Sequence, residues 1–263
     1  MNKTVKVTLI VGAILVAIGI ILVVIAGFAG GWNLVSSDWE EKVYEAPQDV
    51  EITDLDVDFS AGSLEIGFYK GDVIKVEYPE NEQVTMRVSV KDNTLHITSV
   101  IHWHVQFGWF NPIPATKVYI PYETNLGLKL NIDAGTVTVK AGSFKNIDIK
   151  MDAGTLKMSN VFCNNFDVKM NAGTMNLTAI ECSVFSANLN AGTLNATHLR
   201  CYDANLELSA GTVKVGIDGV KSEYSVLTDV TTGSCNVKSQ TGTTLKCVRV
   251  KVSAGTAKIT FER

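Results

Sequence analysis

Three cysteines recur at an interval of 19 residues, at Cys163, Cys182 and Cys201. Thiolates stacked by a regular fold could hold a soft metal ion or take part in redox chemistry. The same interval places Phe144 and Val220 at the two ends of the series, and neither side chain supports that chemistry. Stacked neighbours would also have nearly parallel side chains, which is poor disulfide geometry. Because free cysteine packs like a small apolar residue, we predict a buried, reduced and metal-free column.

Acidic and imidazole side chains offer two further candidate metal sites. Asp133 and Asp152 are also 19 residues apart, and two stacked carboxylates could bind Ca²⁺ through oxygen ligands. Their series continues as asparagine and serine, however, and no calcium-type nonapeptide repeat is present. His102 and His104 could face one way on a strand, but the sequence shows no evident third ligand. We therefore predict no bound metal, no cofactor and no catalytic residue.

Large aromatic residues concentrate in the segment 101–114. Trp103, Phe107, Trp109 and Phe110 fall within eight residues, and two prolines follow them. Large apolar side chains grouped in a small patch are typical of binding sites. We predict that these four rings contact a partner protein, a glycan or the outer leaflet, with Trp109 the most exposed. The alternative is that the rings cover the open end of a hydrophobic core.

A repeat accounts for the 19-residue interval. The triplet Ala-Gly-Thr or a close variant recurs at steps of 19 and then 22 residues. Its glycines are Gly135, Gly154, Gly173, Gly192, Gly211, Gly233 and Gly255. Apolar residues alternate with polar ones on both sides of each triplet, which is typical of strands with one buried face. Glycine suits the tight corner between two such strands, so we assign these seven glycines a structural role.

A period of this length is the sequence mark of a solenoid. We predict an all-β fold in which residues 128–263 form a parallel β-helix, or β-solenoid, with rungs of 19–22 residues. The final strand of the sequence runs from Ala257 to Phe261, and no C-terminal cap is expected after it.

Residues 45–127 share the alternation but not the period. The triplet Ala61-Gly62-Ser63 lies between two alternating runs and predicts a first rung that is detached from the regular array. Further alternating runs, with a turn at Lys91-Asp92-Asn93, predict antiparallel hairpins. A solenoid needs atypical terminal units, because an open end exposes its core and unpaired backbone. We therefore predict that residues 45–127 form an N-terminal β cap containing a first rung.

The N-terminal residues predict a membrane anchor. Residues 7–29 contain no charged side chain, and a helix of that length reaches about 34 Å, enough to cross a bilayer. A signal peptide has a shorter apolar region, so we expect the anchor to stay uncleaved. Lys3 and Lys6 place residues 1–6 in the cytoplasm by the positive-inside rule. Residues 30–44 are then a juxtamembrane linker, and the solenoid lies outside the cell membrane.

The charge of the chain excludes one class of partner. The chain carries 23 basic and 27 acidic residues, and without Lys3 and Lys6 the net charge becomes −6. A surface of that charge does not attract nucleic acid, so we predict no nucleic-acid partner. The remaining expected partners are the membrane, through residues 7–29, and an envelope protein or glycan. Nothing in the sequence indicates an oligomeric state.

The anchor, the mixed β cap, the strand end at Ile120-Pro121 and the Ala-Gly-Thr rungs together resemble a known group of bacterial proteins. This is a family of membrane-anchored β-strand-repeat proteins of unknown function that are called adhesins because of their architecture. The resemblance covers nearly the whole chain and implies a protein of the Gram-positive envelope. It supplies no catalytic residues, and a shared fold carries little information about function.

These observations favour a non-enzymatic, membrane-anchored extracytoplasmic β-solenoid that acts as an adhesin or as an envelope scaffold. One alternative is an accessory sensor module in envelope-stress signalling. A second is a carbohydrate-active β-helix enzyme, which would need clustered carboxylates with arginine or lysine on one outer face. The predicted solenoid contains only three arginines, Arg200, Arg249 and Arg263, and its outward positions carry scattered Lys, Asn and Thr.

Overall fold

The computed structural model describes residues 39–82, 84–101 and 113–262. Their strands are β1 (Glu40–Glu45), β2 (Asp54–Tyr69), β3 (Lys75–Glu80), β4 (Val84–Lys91), β5 (Thr94–Ile101), β6 (Thr116–Pro121), β7 (Leu126–Phe162), β8 (Asn165–Glu181), β9 (Val184–Arg200), β10 (Asp203–Asp218), β11 (Ser225–Cys235) and β12 (Cys247–Glu262). One 3₁₀ turn covers Lys221–Glu223. No helix within these ranges is long and apolar enough to cross a membrane. The predicted anchor at residues 7–29 and the four predicted contact rings lie outside the described residues.

The long strands stack in parallel and in exact repeat register. Ala153, Gly154 and Thr155 pair with Ala172, Gly173 and Thr174, and the same triplets align from β8 to β9 and from β9 to β10. Strand β7 is 37 residues long because it contains two rungs joined without a break. The predicted all-β solenoid with parallel rungs is confirmed.

The glycine corner brings adjacent rungs close together. Gly154 has φ +134°, and a Cβ added to it would lie 1.9 Å from the carbonyl oxygen of Gly135. Gly173 has φ +137° and the same relation to Gly154, at 2.0 Å. Both the conformation and the close approach exclude any other residue, which explains why the glycine recurs.

Each regular rung has a second corner that lacks glycine. Ala141, Asn160, Ala179 and His198 follow one another at the repeat interval and have φ between 44° and 54°. This left-handed conformation is uncommon outside glycine and asparagine. The strand bends there, so that each rung buries apolar side chains on both sides of this corner.

The core consists of columns of equivalent side chains, one from each rung. One column contains Leu128, Ile147, Phe166, Phe185, Ala204, Val248 and Val226, all of which are buried. Within it the rings of Phe166 and Phe185 lie 5.2 Å apart. Burying such side chains contributes about 1.5–3 kcal/mol each, so the stacked columns are the main stabilising feature of the solenoid.

The N-terminal end of the sheet differs from the prediction in two respects. Strand β2 is detached only in sequence, because Gly62 pairs directly with Gly135 and β2 stacks on β7. The linker predicted at residues 30–44 is too long, since residues 40–44 belong to β1. That strand pairs antiparallel with β3, from Glu40 opposite Glu80 to Glu45 opposite Lys75.

Strands β5 and β6 form the outermost rung at this end. Strand β5 pairs in parallel with Asp54–Phe59, and β6 pairs in parallel with Leu64–Tyr69, on either side of the Gly62 corner. The antiparallel pairs of the N-terminal region lie outside this rung: β4 with β5, β3 with β6, and β1 with β3.

At the C-terminal end the rungs do not stack in sequence order. Strand β12 pairs with β10 through Gly211 and Gly255, and β11 then pairs with the other edge of β12 through Gly233. The last strand in sequence is therefore the penultimate rung, and β11 forms the end. A cap is also present: Tyr224 is fully buried and its ring lies 5.4 Å from that of Phe261.

Candidate functional site

The strands around the predicted aromatic contact segment show where it leaves the solenoid. Residues 102–112 connect β5 to β6, the two halves of the outermost rung. Other rungs make this connection with the short glycine corner. Ile113 returns to the corner, because its Cγ2 lies 3.9 Å from the position that a Gly62 Cβ would occupy. The sequence of this connection contains Trp103, Phe107, Trp109 and Phe110. They and the two candidate ligands His102 and His104 lie outside the described residues.

The predicted cysteine column exists, but it is not buried along its whole length. Cys182 and Cys201 are buried, whereas Cys163 is half-buried, and all three are free thiols. The column begins at the buried Phe144, whose ring packs against Phe68 at 5.4 Å.

The environment of these thiols suppresses ionisation. The hydrogen bond with Cys163, followed by burial, raises the pKa of Cys182 above its ordinary value. Burial, followed by the nearby carboxylate of Asp203, raises the pKa of Cys201 to about 12. Because the thiolate is the reactive form, both sulfurs are poor nucleophiles at neutral pH.

Asp152, one of the two aspartates considered as calcium ligands, belongs to a hydrogen-bonded ladder with asparagine side chains. Asn171 Nδ2 donates to Asp152 Oδ1 at 2.6 Å, and Asn190 Nδ2 donates to Asn171 Oδ1 at 2.6 Å. The Asp152 carboxylate therefore has a hydrogen-bond donor from the next rung. Such side-chain ladders hold adjacent rungs in register beside the glycine corner.

An outer groove of about 490 Å³ crosses five rungs, β8, β9, β10, β12 and β11. Two rows of outward side chains form its floor. The first row contains Asp167, Ser186, Asn205, Arg249 and Leu227, and the second contains Lys169, Asn188, Glu207, Lys251 and Asp229. Parallel register fixes neighbours within each row at the rung spacing of about 4.8 Å.

One wall of the outer groove comes from the chain that follows β11. Gln240 forms an antiparallel bridge with Val226, and Ser239 Oγ accepts a hydrogen bond from the Thr228 amide at 3.1 Å. This return segment contacts Val226 and Thr228 and therefore covers part of the free edge of β11. It also converts a flat sheet face into a concave surface.

Hydrogen bonds hold the polar side chains of the outer groove in place. Asn188 Nδ2 donates to Glu207 Oε2 at 3.0 Å, and Arg249 Nη1 donates to Asn205 Oδ1 at 3.1 Å. Three acidic and three basic side chains line the groove, so their charges balance. Fixed donors and acceptors in a concave, electrically balanced surface suit a polar ligand. The sequence could not reveal this groove, because its wall depends on the exchanged order of β11 and β12.

A family model matches residues 52–261, which is most of the chain and all of the solenoid. The model is that of the Toastrack DUF4097 domain. The chain belongs to the Toastrack family. This agrees with the resemblance seen in the cap and the repeats, and the family's function is unknown. No curated protein matches the Toastrack chain.

Solved structures with similar folds include three of bacterial origin. A proposed cell adhesion protein from Clostridium sporogenes shares 16% identity, with a TM-score of 0.38 over 86% of this chain and 100% of that one. A proposed adhesin from Bacteroides fragilis shares 14% identity, with a TM-score of 0.44 over 85% and 98%. A proposed adhesin from Parabacteroides distasonis shares 11% identity, with a TM-score of 0.39 over 85% and 98%. Sequence identities and TM-scores this low do not indicate what the Toastrack chain binds.

Proposed function

We propose that this Toastrack protein is a non-enzymatic, membrane-anchored binding protein that acts outside the cell membrane as an adhesin or envelope scaffold. The observation that carries the proposal is the outer groove. Five rungs hold its polar side chains at fixed spacing, and hydrogen bonds between rungs limit their movement. Such a surface is pre-organised, so a ligand binds without the cost of ordering it.

The outer groove lies among the last five strands of the strand order. The chain enters the sheet at β1, the edge strand at the other end of that order. Ten residues separate the predicted anchor from Glu40.

The aromatic segment supplies a second proposed contact. Trp103, Phe107, Trp109 and Phe110 belong to the segment that connects β5 to β6, whereas the regular corners carry only the small triplet. We propose that this segment contacts an envelope protein, glycan or lipid surface, and that the outer groove selects a polar ligand.

The chemistry of the described residues supports binding rather than catalysis. Glycoside cleavage uses two carboxyl groups that are both free to face the scissile bond. In the outer groove the Glu207 carboxylate accepts a hydrogen bond from Asn188. The raised pKa values of Cys182 and Cys201 also disfavour a thiolate nucleophile. These features support the non-enzymatic proposal.

The test compares three variants of the full-length protein on cells. Asn188→Trp fills the outer groove, Thr178→Trp adds the same ring at an exposed position outside it, and Trp109→Ala removes one proposed contact ring. We expect Asn188→Trp to reduce capture of crosslinked envelope components at least tenfold, and Thr178→Trp to leave capture unchanged. Trp109→Ala should reduce capture with little change in melting temperature.

The same experiment distinguishes the alternatives. If Asn188→Trp and Thr178→Trp capture equally well, the outer groove is not the binding surface. A fall of several kcal/mol in the stability of Trp109→Ala would show that this ring covers the core. Hydrolysis of an envelope polysaccharide by the wild type, abolished by Glu207→Gln, would replace the binding proposal with the carbohydrate-active one. Capture of a single membrane sensor protein would support the signalling alternative.

A further inference from the structure

Three side chains that the outer groove does not use meet at the second corner of consecutive rungs. They are His198 at the end of β9, Asp218 at the end of β10 and Glu262 at the end of β12. Each offers one atom that could bind a metal ion, and the three atoms lie within 4.8 Å of one another. His198 and Glu262 are exposed and Asp218 is half-buried, so an ion can reach the cluster from solvent.

The register of the strands explains why these residues meet. Asp218 pairs directly with Glu262 across β10 and β12. Between β9 and β10 the register shifts, because Val215 pairs with Ala196 whereas Ile217 pairs with Leu199. His198 is the extra residue of this bulge and has φ +54°. It has no direct partner in the next rung, and its ring lies beside Asp218.

The bulge is opposite a glycine that leaves room for the third side chain. A Cβ added to Gly216 would lie 3.1 Å from Oε1 of Glu262. The Glu262 carboxylate therefore lies over the backbone of β10 instead of pointing away from it. His198, Asp218 and Glu262 line a cavity of about 430 Å³ together with Gly219 and Glu223.

The hydrogen bonds around the cluster leave one oxygen of Asp218 facing His198. Arg200 donates from Nη1 to Glu181 Oε2 at 3.0 Å, and its Nη2 lies 3.5 Å from Asp218 Oδ2. The other oxygen, Oδ1, lies 3.2 Å from His198 Nδ1. Arg200 lines the same cavity but contacts Oδ2 of Asp218, so Oδ1, the His198 nitrogen and the Glu262 carboxylate remain next to one another.

We propose that His198, Asp218 and Glu262 bind one divalent transition-metal ion, with Zn²⁺ the best match. Zn²⁺ accepts mixed nitrogen and oxygen donors at about 2.0–2.2 Å, whereas Ca²⁺ takes six to eight oxygen ligands. Metal bonds of that length require ligand atoms about 3–3.5 Å apart, which a rotation of the exposed Glu262 side chain provides. The fourth position stays open for water or for a donor from a ligand.

The repeat itself supplies a matched variant for the test. Asn160 occupies the same corner position as His198, two rungs earlier, and has the same φ of +54°. His198→Asn therefore removes the imidazole and keeps the backbone conformation. His96→Asn is the control. His96 Nδ1 lies 3.8 Å from the Asp56 carboxylate, but among the described residues no third ligand completes a metal site there.

The experiment titrates Zn²⁺ alone into detergent-solubilised full-length protein, followed by calorimetry. All variants carry His102→Asn and His104→Asn, so that no other pair of histidines contributes. We expect one Zn²⁺ per chain, at least tenfold weaker binding in His198→Asn and in Asp218→Asn, and no change in His96→Asn. Zn²⁺ should raise the melting temperature of the parent protein and not that of His198→Asn.

Two results would overturn the proposal. One is an absence of stoichiometric binding up to about 1 mM Zn²⁺, which would leave His198, Asp218 and Arg200 as an ion-pair network only. The other is equal affinity in the parent and His198→Asn, which would place the ion elsewhere. Co²⁺ gives an independent measurement, because its visible absorption bands report nitrogen and oxygen ligation. These bands should appear in the parent and in His96→Asn but not in His198→Asn.

Discussion

At the scale of single residues, the repeat keeps glycine at every corner as regularly as it keeps apolar side chains at the buried positions. Gly154, Gly173 and Gly192 each have a positive φ and face the carbonyl oxygen of the preceding glycine at 1.9–2.1 Å from an added Cβ. Gly67 in β2 has neither constraint, since nothing lies within 4 Å of its added Cβ. The glycines of one solenoid therefore differ in what they contribute to stability.

We expect Gly173→Ala to lower the free energy of unfolding by about 3 kcal/mol or more, because the methyl group meets backbone on the adjacent rung and alanine disfavours that φ. Gly67→Ala should change it by less than about 1 kcal/mol. Urea unfolding of the two variants, followed by circular dichroism, provides the measurement. Equal stability of both variants would show that the rungs can separate at the corner without cost.

The residue scale also shows what the sequence can and cannot predict. The inward columns and the glycine corner follow from period-two alternation and a fixed interval, so they were predictable. The second corner was not, because Ala141, Asn160, Ala179 and His198 share a conformation and no side-chain chemistry. The metal cluster was equally hidden, since His198, Asp218 and Glu262 meet only through the bulge and the β10–β12 pairing.

At the scale of elements, both caps are insertions into an otherwise regular solenoid. Gly255 follows Gly211 by 44 residues, which is one period of 19 plus 25 additional residues. These additional residues contain β11 and its return segment, and β12 then takes the place that the next regular rung would occupy. Strands β3 to β6 are likewise inserted between β2 and β7, which stack on each other directly. The triplets in the sequence therefore predict which segments form rungs, but they do not predict which rungs are neighbours in the structure.

This arrangement predicts the outcome of a precise deletion. Removing residues 221–245 restores the 19-residue period between β10 and β12, so the shortened chain should fold with β12 as its last rung. Loss of the buried Tyr224 and Val226 exposes Phe261, and we expect the protein to lose about 3–5 kcal/mol while unfolding cooperatively.

The matched deletion removes residues 247–263 instead. It takes away the parallel partner of β11 and opens the edge of β10, so cooperative unfolding of the C-terminal rungs should disappear. Thermal unfolding of both chains, monitored by circular dichroism, compares the two cases. If the chain without residues 221–245 unfolded less cooperatively than the chain without 247–263, the cap would be part of the folding core rather than an insertion.

At the scale of the whole molecule, the two ends of the strand order have different roles in the proposed function. The chain enters at β1 beside the antiparallel strands, and the outer groove and the proposed metal site both lie among strands β8 to β12. The predicted anchor precedes β1 in the sequence, whereas the proposed binding residues belong to the strands at the other end of the strand order. The proposed function depends on an anchor that stays attached.

We expect the protein to remain in the membrane with its C-terminus outside the cell, because residues 7–29 are long enough to span the bilayer and Lys3 and Lys6 hold the N-terminus in the cytoplasm. Protease added to intact protoplasts should remove a C-terminal epitope tag and leave an N-terminal tag protected in a short membrane fragment. With protoplasts lysed, both tags should be lost. A soluble secreted form that begins near Gly30 would show that the segment is cleaved, and the outer groove would then act in solution rather than at a fixed distance from the membrane.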